Sequence, residues 1–223
     1  MRQQSIQADR LLRACLAFLV LSLSFPAVAE ITPKPGSYCP GKDILLVVAE
    51  ELSASLNLSM HSRTALINKD QITAINTLDS AGTTLRLAAS RGAAARTTLL
   101  IDSIIEAGPG ESYAQMLSWF PLLHTSLLTL PDDATASAAE NLIGRAEDSM
   151  QTENGKNPVK LLREARHLLT CDGLDIPLQA AIQAQIKLMK QLVPRTPAKN
   201  SDYDALFDSL RNALTYTLNN SQM

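Results

Sequence analysis

The sequence predicts an all-α protein made of antiparallel helical hairpins that pack as a bundle or a short array. Apolar residues recur at spacings of three and four over long stretches, which is the period of one face of an α-helix. Short segments rich in Asn, Asp, Gly and Pro separate these stretches, and a short turn between two amphipathic helices produces an antiparallel hairpin. We therefore expect one helical domain over residues 43–223, behind an extended, Pro/Gly-rich leader over residues 30–42.

The first hairpin is expected over residues 44–91. Asp43 is a candidate N-cap for its first helix, and residues 68–70 form a polar turn before the second. Both helices have one apolar face, which predicts that one side of each is buried. The first helix repeats Ile44, Val48, Leu52, Leu56 and Met60, and the second repeats Ile72, Ile75, Leu78, Ala81 and Leu85.

Two further hairpins are expected over residues 134–171 and 177–218. Pro158 suits the first position of the helix that returns in the earlier of the two. Gly173 is expected just beyond that helix as its C′ residue, and Pro177 is expected to begin the next helix.

Residues 93–131 have a less regular pattern. Residues 99–105 suit a strand as well as a helix, and the Gly-Pro-Gly segment at 108–110 is a clear break. Pro121 interrupts the helical pattern that surrounds it, because proline lacks a backbone donor. No helix boundary is predicted in this part of the chain.

Residues 1–29 have the pattern of a cleavable secretory signal peptide. Three arginines give a positive n-region, residues 14–25 are a short apolar run, and Ala27-Val28-Ala29 has the small-x-small form of a signal-peptidase site. A membrane-spanning helix would need roughly 20 apolar residues. We therefore expect cleavage after Ala29, export to the periplasm and no transmembrane segment in the mature chain.

The mature chain is expected to carry a mild negative charge. Removal of residues 1–29 takes away three Arg and one Asp, which leaves 17 basic and 21 acidic side chains and a net charge of −4. A nucleic-acid-binding protein would have a concentrated basic face. The seven aromatic residues that remain give no platform for stacking bases, so no nucleic acid is expected among the partners.

Cys39 and Cys171 remain after cleavage. An even pair of cysteines in an exported protein is a candidate disulfide, and two separate thiols are the alternative that spacing leaves open. These cysteines and the dispersed residues His61, His124 and His167 do not have the spacing of a zinc site. We expect a disulfide between Cys39 and Cys171, and no metal or other cofactor.

The sequence contains none of the motifs that assemble a reaction centre, such as a nucleophile turn or a phosphate-binding glycine loop. One alternative is a Cys171 thiolate with His167 four residues earlier, since that spacing places two side chains on one helix face. No third group that would orient the histidine is visible. We therefore expect a non-enzymatic protein with no catalytic residue.

Arg63 is a charged residue on an otherwise apolar stripe, between Met60 and Ile67. Its side chain can lie along apolar surface while the guanidinium stays in water. It can also form a structural ion pair with a carboxylate of the neighbouring helix, for which Asp79 is the candidate.

Three segments resemble the YfdX family. Residues 62–67, followed by apolar residues at 74, 78, 81 and 85, resemble the A-R-x-A-L hairpin with which that family opens. Trp119-Phe120-Pro121-Leu122 and Asp175-Ile176-Pro177-Leu178 resemble its two Pro-aliphatic steps, in the same order. The resemblance covers residues 44–218. It departs from the family in its cysteine pair and in a longer turn at residues 194–201.

The resemblance implies an exported helical bacterial protein linked to acid and other envelope stress and to altered antimicrobial susceptibility. It also implies homo-oligomerisation and chaperone-like behaviour, and it assigns no catalytic residue. We therefore expect a periplasmic, stress-related protein that binds protein clients. The alternative is a helical interaction or sensor-type module that binds an envelope protein partner.

The charge suggests how acid could act on such a protein. Carboxyl groups ordinarily titrate near pH 4, so below about pH 3 the net charge moves from −4 towards the +20 of 17 basic side chains and three histidines. Self-repulsion of this size should loosen a bundle of hairpins and expose faces such as Ile72, Ile75 and Leu78. Acid unfolding without useful binding is the alternative.

Overall fold

The computed structural model of the chain describes residues 33–108, 112–152, 157–192 and 200–222, without the side chains of residues 200 and 201. Over these residues the fold is all-α, as predicted. The expected signal peptide lies outside the described residues. The helices are α1 (Lys42–Ile67), α2 (Gln71–Ala89), α3 (Ala93–Ala107), α4 (Tyr113–Leu117), α5 (Phe120–Leu127), α6 (Ala134–Thr152), α7 (Pro158–Leu168), α8 (Asp172–Leu192) and α9 (Asn200–Ser221).

Four helices from the two ends of the described chain form one bundle. Helices α1 and α2 make the first hairpin and α8 and α9 the last, while α9 packs on α1 and α2 packs on α8. Leu52, Leu78 and Leu85 have no exposed surface in the shared core. Burial of one such side chain contributes about 1.5–3 kcal/mol, so this core holds helices distant in sequence together.

The intervening helices, α3–α7, surround a second core. Helices α6 and α7 form the expected middle hairpin, α3 packs on α5 and α7, and α4 packs on α6. Residues 99–105 are helical, because Ile101 and Ile104 then lie on one buried face of α3. Pro121 lies in the first turn of α5, where its missing N–H removes no helical hydrogen bond.

The bundle core is polar along part of α1. Three serines on the buried face of this helix, Ser55, Ser59 and Ser62, have no exposed surface. Ser55 Oγ donates to the Ala81 carbonyl (3.1 Å) and Ser62 Oγ to the Ala74 carbonyl (2.7 Å), both on α2. These small side chains therefore join the two helices by hydrogen bonds as well as by packing.

Gln185 of α8 completes this polar layer. Its buried side chain donates from Nε2 to the Leu78 carbonyl at 3.0 Å. A Cβ at Gly82 would lie 2.4 Å from that Nε2, so glycine at this position leaves room for the amide.

Two helix boundaries differ from the expectation. Helix α7 ends at Leu168, and Gly173 lies in the first turn of α8 rather than at a C′ position. A Cβ on Gly173 would lie 2.2 Å from Cε2 of Tyr216, so this glycine permits close packing rather than a left-handed turn. Helix α8 therefore begins at Asp172, and Pro177 lies inside it.

The expected apolar stripes are only partly buried. Met60 is 49% exposed and Ile72 is 76% exposed. A strict four-residue repeat drifts around a helix of 3.6 residues per turn, so the buried face of α1 passes to Ser59 and Ser62 instead of Met60. The N-cap of α1 is Gly41, not Asp43.

Candidate functional site

Residues 36–38 of the leader are hydrogen-bonded to the junction between α7 and α8. The backbone N–H of Gly36 donates to His167 O (2.9 Å), and that of Tyr38 donates to Thr170 O (3.0 Å). The N–H of Asp172 donates in return to Gly36 O at 2.9 Å. The leader is therefore held by backbone groups on both sides of this junction.

Cys39 and Cys171 lie at disulfide distance, as the pairing predicted from the sequence requires. Their sulfur atoms are 2.08 Å apart and their Cα atoms 4.6 Å apart. Cys171 is buried in the core of the bundle, whereas Leu169 belongs to the core of α3–α7. Cys39 is exposed. The link therefore attaches the leader where the two cores meet.

The Tyr216 hydroxyl contacts both sulfur atoms, at 3.1 Å from Cys171 Sγ and 3.2 Å from Cys39 Sγ. Because disulfide sulfurs carry no proton, the hydroxyl is the donor. Burial, and then the negative charge of Asp175, raise the pKa of Tyr216. The phenol therefore keeps its proton for this contact at neutral pH.

A cavity of about 430 Å³ lies beside the cysteine pair. Its wall is formed by residues 38–41 of the leader, residues 91–95 in the turn after α2 and the first turn of α3, residues 129–131 before α6, and the first turns of α8. Cavities of this volume accommodate small organic molecules. Its apolar lining includes Ile44, Ala88, Leu130, Leu169, Leu174 and Leu178.

Tyr38 places a buried hydroxyl in the cavity wall. The oxygen makes no hydrogen bond of normal geometry among the described residues. The Asp133 carboxylate acts on it from nearby without reaching that geometry, and burial followed by this negative charge raises the pKa of Tyr38 to about 12. Buried polar groups normally have a partner; the Asp133 carboxylate is close enough to attract the hydroxyl proton, and the Tyr38 oxygen is left without a donor among the described residues.

Asp133 and Asp175 supply two carboxylates to the same wall. Asp133 Oδ1 accepts from the N–H groups of Thr135 and Ala136, both at 2.8 Å, and so caps α6. Asp175 Oδ2 accepts from Cys171 N at 2.7 Å. Burial raises the pKa of Asp175, against the smaller opposing effect of that hydrogen bond.

Arg91 is a cation in the wall whose charge is already matched. Its Nε donates to Glu51 Oε1 at 2.9 Å, and its Nη2 donates to the same oxygen. The other oxygen of Glu51 is buried and has no hydrogen-bond partner among the described residues. The excess charge around the cavity is therefore negative and comes from Asp133 and Asp175.

The Cys171 thiolate weighed as an alternative does not match this arrangement. Cys171 Sγ is within bonding distance of Cys39. The His167 Nε2 instead lies 3.6 Å from Asp172 Oδ2 at the surface. The structure therefore pairs both members of that alternative with other residues.

The expected ion-pair partner of Arg63 was wrong. Arg63 Nη1 lies 3.5 Å from Asp204 Oδ1 of α9, and its guanidinium carbon lies 5.0 Å from the centroid of the Phe207 ring. Asp79 makes no ion pair with Arg63 within the described residues. The Arg63 side chain therefore reaches from α1 to α9, where its guanidinium is attracted to the face of the Phe207 ring.

The three histidines have different surroundings and share no contact in the described residues. His124 Nε2 lies 2.8 Å from Glu147 Oε2, and His61 is exposed. No group of three or more His, Cys, Asp or Glu side chains within the described ranges could hold a metal ion. No helix in those ranges is long and apolar enough to cross a membrane.

Sequence reasoning missed Tyr38, Asp133 and Asp175 as a group. Asp133 was recognisable as part of a helix start, and Tyr38 adjoins Cys39, but nothing in their spacing indicates a common cavity. Comparisons with family models, curated proteins and solved structures give no match.

Proposed function

We propose that this chain is an exported, non-enzymatic stress protein of the periplasm that holds apolar surfaces of client proteins at acid pH. The resemblance to the YfdX family supports the stress role. One structural observation carries the acid response: ion pairs join different elements of the fold, and acid would neutralise the carboxylate of each pair.

These pairs lie at the surface of both groups of helices. Arg166 of α7 donates to Asp102 of α3 at 2.5 Å, with both side chains about one-third exposed. In the bundle, Arg91 pairs with Glu51 of α1. Protonation of the carboxyl groups would leave a cation facing a neutral group at each contact.

Further pairs fasten α9 to its neighbours. Lys187 of α8 lies 3.2 Å from Asp202, and Arg63 of α1 lies 3.5 Å from Asp204. An exposed ion pair contributes at most about 1 kcal/mol, so no single pair decides the transition. The combined loss, together with a net charge approaching +20, favours separation of helices by repulsion.

Separation would uncover the two cores. Leu52, Leu78 and Ile101 have no exposed surface in the packed state, and they would become available to apolar segments of a client. Ile72 is already exposed, so it does not distinguish the two states. The same positive charge would keep the loosened protein soluble.

The experiment is light scattering of an acid-labile client at pH 3, with and without the processed protein. The client should aggregate less when the protein is present. A variant with Glu51→Gln and Asp102→Asn removes two of the carboxylates permanently, and we expect it to protect the client at a higher pH than the wild type. Asp79→Asn is the matched control, because it removes one exposed carboxylate outside these pairs. Unchanged client aggregation would contradict the proposal.

A second candidate function is docking on an envelope protein. Trp119 and Leu122, three residues apart across the start of α5, are 44% and 51% exposed, and Leu128 at its end is 85% exposed. Trp119 and Leu122 lie on one side of the helix because of this spacing, and neighbouring exposed apolar side chains favour a protein contact. Binding to an envelope membrane fraction at pH 7 that is lost in a Trp119→Ala, Leu122→Ser variant would support this function; equal binding by that variant would oppose it.

A further inference from the structure

We propose that the cavity beside Cys39 and Cys171 binds a small organic cation, an ammonium group attached to a compact apolar body. This inference is independent of the acid response, because it concerns the packed protein at neutral pH.

The cavity has the size and the walls for the apolar body. Its volume is about 430 Å³, and side chains from both cores line it, Leu130 and Leu169 from one and Leu174 and Leu178 from the other. Small-molecule sites are mostly apolar with a few polar groups that fix the orientation of the ligand. An aromatic or aliphatic body of about that volume would replace contacts with water by contacts with leucine.

The polar groups of the wall select the charge of the ligand. Asp133 and Asp175 reach the cavity from different elements, the start of α6 and the first turns of α8. Arg91 cannot serve as their counter-ion without giving up Glu51. Carboxylates in a partly desolvated wall are stabilised by a cation, whereas an anionic ligand would add repulsion to the cost of burial.

The Tyr38 hydroxyl supplies an independent indication of a ligand. It is buried without a hydrogen-bond partner among the described residues, and a buried unpaired hydroxyl is costly. An ammonium carries three donors and no acceptor. It can therefore donate to the Tyr38 oxygen and to a carboxylate at once, which pairs the oxygen of this hydroxyl and one carboxylate of the wall with the same ligand.

The leader completes the site. Residues 38–41 form part of the wall, and this segment is held by the cysteine pair and by backbone hydrogen bonds to the α7–α8 junction. The backbone of Tyr38 is thereby held next to the start of α8, which carries Asp175.

Isothermal titration calorimetry of the processed protein at pH 7 tests the proposal with three probes that share one body. Phenethylammonium should bind, the neutral phenethyl alcohol should bind about tenfold more weakly, as expected for loss of one charge-assisted hydrogen bond, and the anionic hydrocinnamate should bind more weakly still. Equal affinity for the three probes, or no binding of phenethylammonium at millimolar concentration, would overturn the proposal.

Substitutions of the residues in the cavity wall test whether phenethylammonium binds there. Asp133→Asn and Asp175→Asn keep the shape and the backbone hydrogen bonds of the originals, and each should weaken phenethylammonium about tenfold while leaving phenethyl alcohol unchanged. Tyr38→Phe should weaken the ammonium as well, and Asp79→Asn should change nothing. Near-ultraviolet circular dichroism identifies any variant that has lost its packing. Unchanged ammonium affinity in well-packed Asp133→Asn and Asp175→Asn proteins would overturn the proposal.

Discussion

The side-chain amide of Gln185 occupies the space directly above Gly82, so that a Cβ at residue 82 would lie 2.4 Å from Gln185 Nε2. The amide is held there by its hydrogen bond to the Leu78 carbonyl. The close packing of α2 against α8 at this point therefore depends on a glycine at position 82.

Substitution Gly82→Ala should therefore destabilise the protein, although alanine favours helix. Displacement of the buried amide and overpacking together should cost about 1–3 kcal/mol. Chemical denaturation measures the change. Gly144→Ala in α6 is the matched control, because a Cβ there meets nothing within 4 Å; it should stabilise by about 0.5–1 kcal/mol. Equal effects of the two substitutions would refute the role of Gly82.

The cysteine pair should make a large contribution to stability. Cys39 and Cys171 are separated by 132 residues, and closing a loop of this length restricts the unfolded chain by about 4–5 kcal/mol in the chain-entropy model. A Cys39→Ser, Cys171→Ser variant should lose stability of that order in denaturant titration. Non-reducing peptide mapping should recover the two cysteine fragments joined. Two titratable thiols in freshly purified protein would contradict this prediction.

The raised pKa of Asp175 predicts that the Asp175→Asn substitution increases the stability of the protein in a pH-dependent way. Burial raises the pKa of this carboxyl, so its contribution to stability is present below the pKa of the unfolded chain and is lost as pH rises through the folded value. Asp175→Asn, which resembles the protonated form, should differ least from the wild type in acid and become more stable than it as pH rises through the folded pKa of Asp175. Thermal unfolding at a series of pH values measures the difference.

Asp70 provides a control, because its substitution should change the stability of the protein in the opposite direction. The Thr73 hydroxyl and, to a smaller extent, the hydrogen bond that Asp70 accepts from Thr73 N at the start of α2 lower the pKa of Asp70. The stability it contributes is present above the unfolded pKa and is lost as pH falls through the folded value. Asp70→Asn should therefore be less stable than the wild type at pH 7, with a difference that shrinks in acid. If stability changed with pH in the same direction in both variants, the raised pKa of Asp175 would be contradicted.

Processing is tested by intact mass. The Ala27-Val28-Ala29 site predicts a mature protein that begins at Glu30. Protein recovered from a periplasmic extract should have the mass of residues 30–223. A protein that retains Met1, or that carries a lipid on Cys15, would refute the expected cleavage.

The three helical hairpins were predictable because the spacing of apolar residues that indicates a helix can be read from neighbouring positions in the sequence. The three hairpins follow from it, and Pro158 does begin α7. The prediction for Gly173 was wrong because glycine is needed there to leave room for the ring of Tyr216, which is distant in sequence, and not to form a local turn. The spacing of apolar residues also cannot separate a strand from a helix in residues 99–105, where burial of Ile101 and Ile104 decides.

The site was less predictable because it forms between elements remote in sequence. Arg63 meets Asp204, 141 residues later, and no local spacing selects it over Asp79. The cavity arises where two separate cores and the leader adjoin, so Tyr38, Asp133 and Asp175 become neighbours through the tertiary fold alone. The cysteine pair was the one long-range relationship with a signal in composition.

The central claim, that acid loosens the packing of the helices by charge, is tested most directly by sedimentation velocity of the processed protein at pH 7 and pH 3. The claim predicts a lower sedimentation coefficient at pH 3, from an expanded chain or from separated subunits, with partial reversal by added salt because salt screens exposed charges. A single compact species with the same coefficient at both pH values would contradict it.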